Sequence, residues 1–377
     1  MQNPGLKLMI PGPVQPEDSV LAAMGAPVQP HYGPAFRDLY NGTTDLLKPI
    51  FGTQSDVFIL VGSGSAAIDA CLGSSVPSGR KIAIGINGFF GERLKAIAEA
   101  YQLEVVAVTA EWGQPLRPQD FADALARHPD TRLVAVVHLE TSTTILNPIE
   151  EIGAVARRAG VPYMVDAVSS LGGIPIEMDA WGIDLCASAS QKCLGAPPGL
   201  GPVAVGPGGW EAIDRSPNVG HGWYLNLRVW RQYVKEWGDW HPFPITMASS
   251  NVVALRTVLE SLLAEGIPAR MQRYRKLALR LREGLRRVSM PPFTPDEVLA
   301  PVLTGAYGPA GVPTGQVVEY LAETHHIKVA GGLGALKDVI IRIGHMAPTT
   351  TEADIDMVVE ALGQFTPQWR ETVVGEG

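Results

Sequence analysis

The chain has 377 residues, 46% hydrophobic and 18% charged, and a net charge of −8. That length exceeds one simple core and predicts two domains, while the negative balance argues against a nucleic-acid or anionic-membrane surface. Cys71, Cys186 and Cys193 form an odd set with no C-x-x-C pair, so neither a disulfide framework nor a zinc knuckle is expected, and a reducing, cytoplasmic compartment is. The start, MQNPGLKLMIPGPV, shows no basic-then-apolar leader, no run of about eighteen apolar residues offers a membrane span, and the final Gly-Glu-Gly matches no retention or peroxisomal address.

From residue 56 onward, short apolar runs alternate with helical periodicity. DVFILV (56–61) reads as a strand followed by a helix from near Ser65, and KIAIGI (81–86) as a second strand followed by a helix from Glu92 to Tyr101. LEVVAV (103–108), RLVAVVHL (132–139), VPYMVDA (161–167) and DLCASAS (184–190) continue the series, separated by amphipathic stretches such as PQDFADALARH and IEEIGAVARRAG. Strands and helices in this alternation imply βαβ units and an α/β fold with a mostly parallel sheet covered on both faces. After Pro242 the texture changes. Residues 249–266 and 268–289 read as two long helices, the second with a basic face expected to be solvated: Arg270, Arg273, Arg275, Lys276, Arg280 and Arg282. HIKVAGGLG and DVIIRIGHM supply further strands, and a last helix is expected from Glu352 to Phe365. The expected division is an N-terminal segment 1–20, a large domain 21–254 and a smaller C-terminal α+β domain 255–377.

Three segments could make one site. VGSGSAAIDA (61–70) runs from a strand through small residues into a helix, so free N–H groups at the helix start suit a phosphate, with the hydroxyls of Ser63 and Ser65 beside them. The same segment, as Gly62-x-Gly64-x-x-Ala67, satisfies a dinucleotide fingerprint, but the next strand leads to Asn87-Gly88 where that reading wants a ribose-binding acid. In MVDAVSSLGG (164–173), Asp166 ends an apolar strand at the expected carboxyl edge of the sheet, where it is able either to cap a helix or to bind a ligand. Lys192, in SASQKCLGAPPG (188–199), follows the next apolar strand, and desolvation there lowers a lysine pKa toward a neutral, nucleophilic amine. A cofactor that takes a Schiff-base lysine, an aspartate at a pyridinium nitrogen and a phosphate cradle is pyridoxal phosphate.

With these segments in view, the chain resembles the class V aminotransferases of fold type I, in particular the alanine–glyoxylate and serine–pyruvate group. The likeness runs from Pro11-Gly12-Pro13 to the last helix and is carried by SGS (63–65), NGFFGER (87–93), HLETST (138–143), VDAVSSLGG (165–173), SQKCLGAPPG (190–199) and RIGH (342–345). The resemblance implies that Lys192 carries the cofactor and then shuttles the substrate proton, and that Asp166 pairs with the ring nitrogen. It implies that Ser63, Gly64, Ser65 and Gln191 hold the phosphate, that Phe90 stacks on the ring and that Ser142 contacts it. Arg342 would clamp the substrate α-carboxylate, for which a planar guanidinium is suited. Thr246 falls where the family sends a threonine to the phosphate of the neighbouring subunit, which implies a homodimer with shared sites. The implied activity is transamination from a small amino acid, alanine or serine, to glyoxylate or pyruvate.

The chain departs from the family at Ser65 (often histidine), Phe90 (often tryptophan), Thr144 (usually glycine) and Phe243, which lacks the tyrosine hydroxyl often found near the phosphate. KCLGAPPG and RIGHM also resemble pyridoxamine–pyruvate aminotransferase, whose free-vitamin substrate does not want a full phosphate cradle. Cysteine desulfurases need a reactive cysteine on a mobile loop, and none of the three cysteines fits. His325-His326 lack a partner at metal-ligand spacing. His31-Tyr32 and Trp240-His241 either border the site or lie on the surface.

Overall fold

Seven strands cross the central sheet in the order Asp56–Val61, Leu200–Val205, Leu185–Ala187, Tyr163–Asp166, Leu133–Val137, Lys81–Ile86 and Glu104–Thr109. The computed structural model describes residues 5–216 and 222–369; the terminal Gly-Glu-Gly lies outside them. Neighbouring strands from Leu185–Ala187 to Glu104–Thr109 are parallel, and Leu200–Val205 runs antiparallel to both of its neighbours. The apolar runs are strands because both sheet faces are covered: Ile82, Ile84, Val134, Val136 and Val165 are wholly buried. LGPVAV went unread as a strand because it begins straight after the Pro197-Pro198-Gly199 loop signal, and a strand directly beyond a turn is masked by the turn.

Beyond the helix Ser249–Glu265, a second apolar cluster forms around the helix Ile267–Arg287 and the three-stranded sheet of Leu303–Tyr307, Ile340–Gly344 and Ala330–Gly331. The large cluster extends through Leu262, and the small one begins its helical contribution at Tyr274. The expected boundary after residue 254 therefore falls inside a continuous helix. The N-terminal segment belongs to the small cluster through Met9 and Val14. It pairs in parallel with Ile327–Lys328, and Met9 O accepts from Gly344 N at 2.8 Å. Gly344 must be glycine, because a Cβ there would stand 2.1 Å from the Ile10 carbonyl.

Two arginines of the expected solvated face are buried instead. Arg270 and Arg282 are each 1% exposed. Arg270 donates to the Cys193 carbonyl at 3.1 Å and pairs with Glu265, while Arg282 binds Asp296 at 2.5 Å and the Thr294 hydroxyl at 3.3 Å. Charged groups withdraw from water only with such partners, and a charge count along one helix does not show what another element brings to it.

Candidate active site

The site gathers at the carboxyl edge of the parallel strands. Asp166 is the last residue of its strand, paired in register with Ala187 of the next. The chain then turns, with Val168 N donating to Asp166 Oδ1 at 2.9 Å. Burial pushes the Asp166 carboxyl up to about 6; the Val168 hydrogen bond opposes this, and the nearby negative charge of Glu140 adds to it.

Five residues past the strand Leu185–Ala187, Lys192 sits in a π-helical turn, Ser190–Leu194, whose helical path it interrupts. The turn is tied down on both sides by the Arg270 bond to Cys193 O and by Cys193 Sγ donating to Ser169 O at 3.2 Å. Lys192 Nζ donates to the Pro11 carbonyl, and Val14 N donates to Gln191 O at 3.0 Å, so the N-terminal segment closes over the lysine. Gly12 is required there: its φ is +85°, and a Cβ would come within 2.5 Å of Lys192 Cδ. Burial lowers the Lys192 amine to about 8; Arg342 and Arg93 act with burial, while Cys193 and Asp166 act against it.

The helix Gly64–Ser75 starts against this pair. A Cβ on Gly64 would stand 2.5 Å from Val168 Cγ2 and 3.2 Å from Ala189 Cβ, so only glycine lets the helix start reach the Asp166 turn. Ser63 precedes it in extended conformation and its side chain makes no capping bond, which leaves the first N–H groups open to an anion. Ser65, Phe90 and Asp166 line one small pocket, partly open to solvent, together with Arg93, Val168 and Ser169. The Gln191 amide oxygen is buried without a partner.

Arg342, on the strand Ile340–Gly344, is buried and donates from Nε to Gly331 O at 2.8 Å and from Nη1 to Thr141 O at 3.0 Å. A guanidinium has five N–H donors, so three remain for a carboxylate.

Ser142 is placed differently from the expected ring contact. Its hydroxyl donates to Glu140 Oε1 at 2.5 Å and accepts from Phe89 N at 2.9 Å, so its one proton is committed. Thr246 is exposed and lines none of the cavity. Phe243 is a core residue, its ring 4.8 Å from that of Tyr40. A tyrosine hydroxyl lies elsewhere near the helix start: Tyr224 Oη donates to Val61 O at 3.0 Å, next to Gly62. His31-Tyr32 and Trp240-His241 meet each other at the surface, with His31 5.4 Å from the His241 ring and Tyr32 6.3 Å from Trp240. His325 bonds Tyr320 Oη at 2.9 Å. Among the described residues no group of three His, Cys, Asp or Glu is placed to hold a metal ion, no helix is long and apolar enough to cross a membrane, and all three cysteines are buried and free.

Sequence reasoning passed over Glu140, Arg270, Arg93 and the Pro11 carbonyl. Glu140 and Arg93 stand inside the motifs HLETST and NGFFGER, which were the available signals. Pro11 stands in the Pro11-Gly12-Pro13 motif, while Arg270 reads locally as one of a row of surface charges.

An open α/β sheet with a buried lysine and aspartate at its carboxyl edge, a free helix N-terminus beside them and a buried arginine opposite is the arrangement of a fold type I transferase. Comparison with known proteins agrees, and the chain belongs to the class-V aminotransferase family, whose model matches residues 20–358. It is 36% identical over 94% of its length to an uncharacterised aminotransferase of Methanocaldococcus jannaschii, covering 93% of that protein. It is 35% identical to a protein of Synechococcus sp. named soluble hydrogenase, small subunit, covering 94% of this chain and 91% of that one. The crystal structure of an alanine–glyoxylate aminotransferase from Nostoc sp. superposes with a TM-score of 0.92 at 33% identity, covering 97% of this chain and 96% of that chain.

Proposed function

We propose that this aminotransferase uses pyridoxal phosphate to move an amino group from a small amino acid, alanine or serine, to glyoxylate or pyruvate. The observation that carries the reading is Lys192, a withdrawn amine drawn down to about 8 beside a buried Asp166. The donor set fits the cofactor. The open start of Gly64–Ser75 with the hydroxyls of Ser63 and Ser65 and the amide NH2 of Gln191 suits a dianionic phosphate. Asp166 offers a buried acceptor to a protonated ring nitrogen, and Phe90 supplies an apolar wall. Bound there, the cofactor supplies a carbonyl to the amine and a ring that takes up the electron pair left on the α-carbon.

The chain's own residues do the rest. Arg342 orients the donor by its α-carboxylate with the N–H groups its backbone contacts leave free. Lys192 Nζ, deprotonated in part at neutral pH, takes the α-proton as general base and returns one to the α-carbon of the acceptor in the second half-reaction. Small neutral donors are favoured over dicarboxylates because the second arginine at the pocket, Arg93, lies over the Phe89 and Phe90 rings. A homodimer is proposed on two supports: Thr246 faces outward, and Tyr233, Trp237, Trp240, His241, His31 and Tyr32 form a surface run of touching rings. The three free thiols support a cytoplasmic location. For the two domains we propose a division between the helices Ser249–Glu265 and Ile267–Arg287, following the packing of the two clusters.

A nicotinamide at Gly62-x-Gly64 has less support, because Asn87, at the place of the ribose acid, is committed to Gln114 O and Asn147. The test is a visible spectrum of the cofactor-loaded protein through a cycle of L-alanine and then glyoxylate, with borohydride trapping and peptide mapping of the modified lysine. Yellow absorbance that bleaches and returns, with the label on Lys192, is expected. Cycling with pyridoxamine and pyruvate but not with alanine would move the reading to the pyridoxamine enzyme. A label on another lysine, or no colour at all, overturns it.

A further inference from the structure

Glu140 is wholly buried and no role at the site has been given to it. Its Oε2 accepts from Phe90 N and Gly91 N at 3.0 Å each, and its Oε1 accepts from Ser142 N at 3.0 Å and from Ser142 Oγ at 2.5 Å. The carboxylate thus occupies the N-terminus of the helix Phe89–Ala100, where free N–H groups and the helix dipole favour an anion. Four donors are needed, because a buried carboxylate without them is costly. Burial raises its pKa and these bonds oppose the rise. Gly88 is glycine for this contact: a Cβ there would stand 2.5 Å from Glu140 Cγ and Cδ and from Ser142 Oγ.

The same short segment reaches the other wall of the site. The residue after Glu140 gives its carbonyl to Arg342 Nη1 at 3.0 Å, and the Glu140 charge acts on both Asp166 and Arg342. Phe90 on a helix of the large domain and Arg342 on a strand of the small one therefore take their positions from neighbouring residues. We propose that Glu140 is a positioning residue: its carboxylate ties the helix start that carries Phe90 to the segment whose Thr141 carbonyl holds Arg342, and so sets the spacing between ring wall and carboxylate clamp. This rests on the roles proposed above for Phe90 and Arg342.

The substitution Glu140→Gln keeps the shape but turns an amide NH2 toward donors on one side of the tether. The probe is 2-methylalanine, which carries an α-carboxylate and no α-hydrogen, titrated calorimetrically into the loaded protein. A rise in Kd of about tenfold or more is expected, since a misplaced clamp loses binding steeply, together with a changed visible circular dichroism of the bound cofactor as the Phe90 wall moves. Ser142→Ala removes one of the four bonds and is expected to shift both readouts less, in the same direction; if Glu140→Gln does not fold, Ser142→Ala decides. A variant with a lower melting temperature but wild-type Kd and dichroism shows a structural role only and overturns the proposal. Failure of wild type itself to trap cofactor on Lys192 or to bind 2-methylalanine overturns the functional reading, and this inference with it.

Discussion

Lys192 and Arg342 are both cations withdrawn from water, and burial lowers both to a similar extent from different ordinary values. The lysine turn gives its amine one backbone carbonyl, that of Pro11, and burial, with Arg342 and Arg93 acting the same way, lowers the amine to about 8. The arginine strand gives its guanidinium two carbonyl acceptors and the attraction of Glu140, and although burial lowers it to about 10 it stays charged at neutral pH. A similar lowering therefore yields a base in one region and a fixed clamp in the other. The difference lies in the side chain, since a guanidinium starts from a higher ordinary value than an amine, while its two carbonyl bonds fix its direction.

The sharpest way to break that contrast is Arg342→Lys. A lysine cannot keep both carbonyl bonds and still present a fork, so KM for both amino acid and oxo acid is expected to rise about a hundredfold. Buried where Arg342 is, the new amine should titrate as Lys192 does, making KM climb above pH 8 where wild type stays flat. Unchanged KM in steady-state assays would remove Arg342 from the substrate site.

Asp166 sharpens the comparison from the acid side. Its folded pKa of about 6 lies above the ordinary 3.8, so between those values the folded chain holds a proton that the unfolded chain has released. Stability from this group is present below about 4 and is lost as pH rises to 6. Lys192 has the reverse sign, its cost being relieved as pH rises from about 8 toward 10.5. Cofactor-free Asp166→Asn is therefore expected to melt about 3 °C higher than wild type at pH 7, with the gap closing at pH 4. A gap that does not depend on pH would mean that Asp166 is not the group that titrates. The same variant should lose transamination, because an amide cannot balance a protonated ring nitrogen.

Much of one region was readable in the sequence and little of the other. KIAIGI is a strand over the same six residues, and Asp166 and Lys192 follow adjacent apolar strands, because strand burial and chain order are local properties. The contacts that finish the site span far longer separations: 50 residues from Glu140 to Phe90, 77 from Arg270 to Cys193, 181 from Lys192 to Pro11 and 201 from Arg342 to Thr141. No periodicity registers such pairs. Arg270 therefore read as solvated, and Phe243 stood for a missing hydroxyl while Tyr224 lay beside the helix start.

The smallest expected effect concerns Thr144, where this chain departs from the glycine usual in the family. Its φ is +54°, in the left-handed region that a β-branched residue rarely adopts, and its buried hydroxyl has no partner. An unsatisfied buried hydroxyl costs about 1–3 kcal/mol and the backbone conformation about 1–2 kcal/mol, against roughly 1 kcal/mol of extra chain entropy for glycine and the lost methyl contact. Thr144→Gly is thus expected to stabilise by about 1 kcal/mol in urea unfolding. The residue lies against Gly305, directly opposite Arg342 across the small sheet, so the measurement also reads how firmly the clamp is backed. A gain in stability with unchanged KM means that the carbonyl bonds alone seat Arg342. A loss means that the threonine side chain, packed against Gly305, holds the arginine strand in place and that its strained backbone is the cost of that contact.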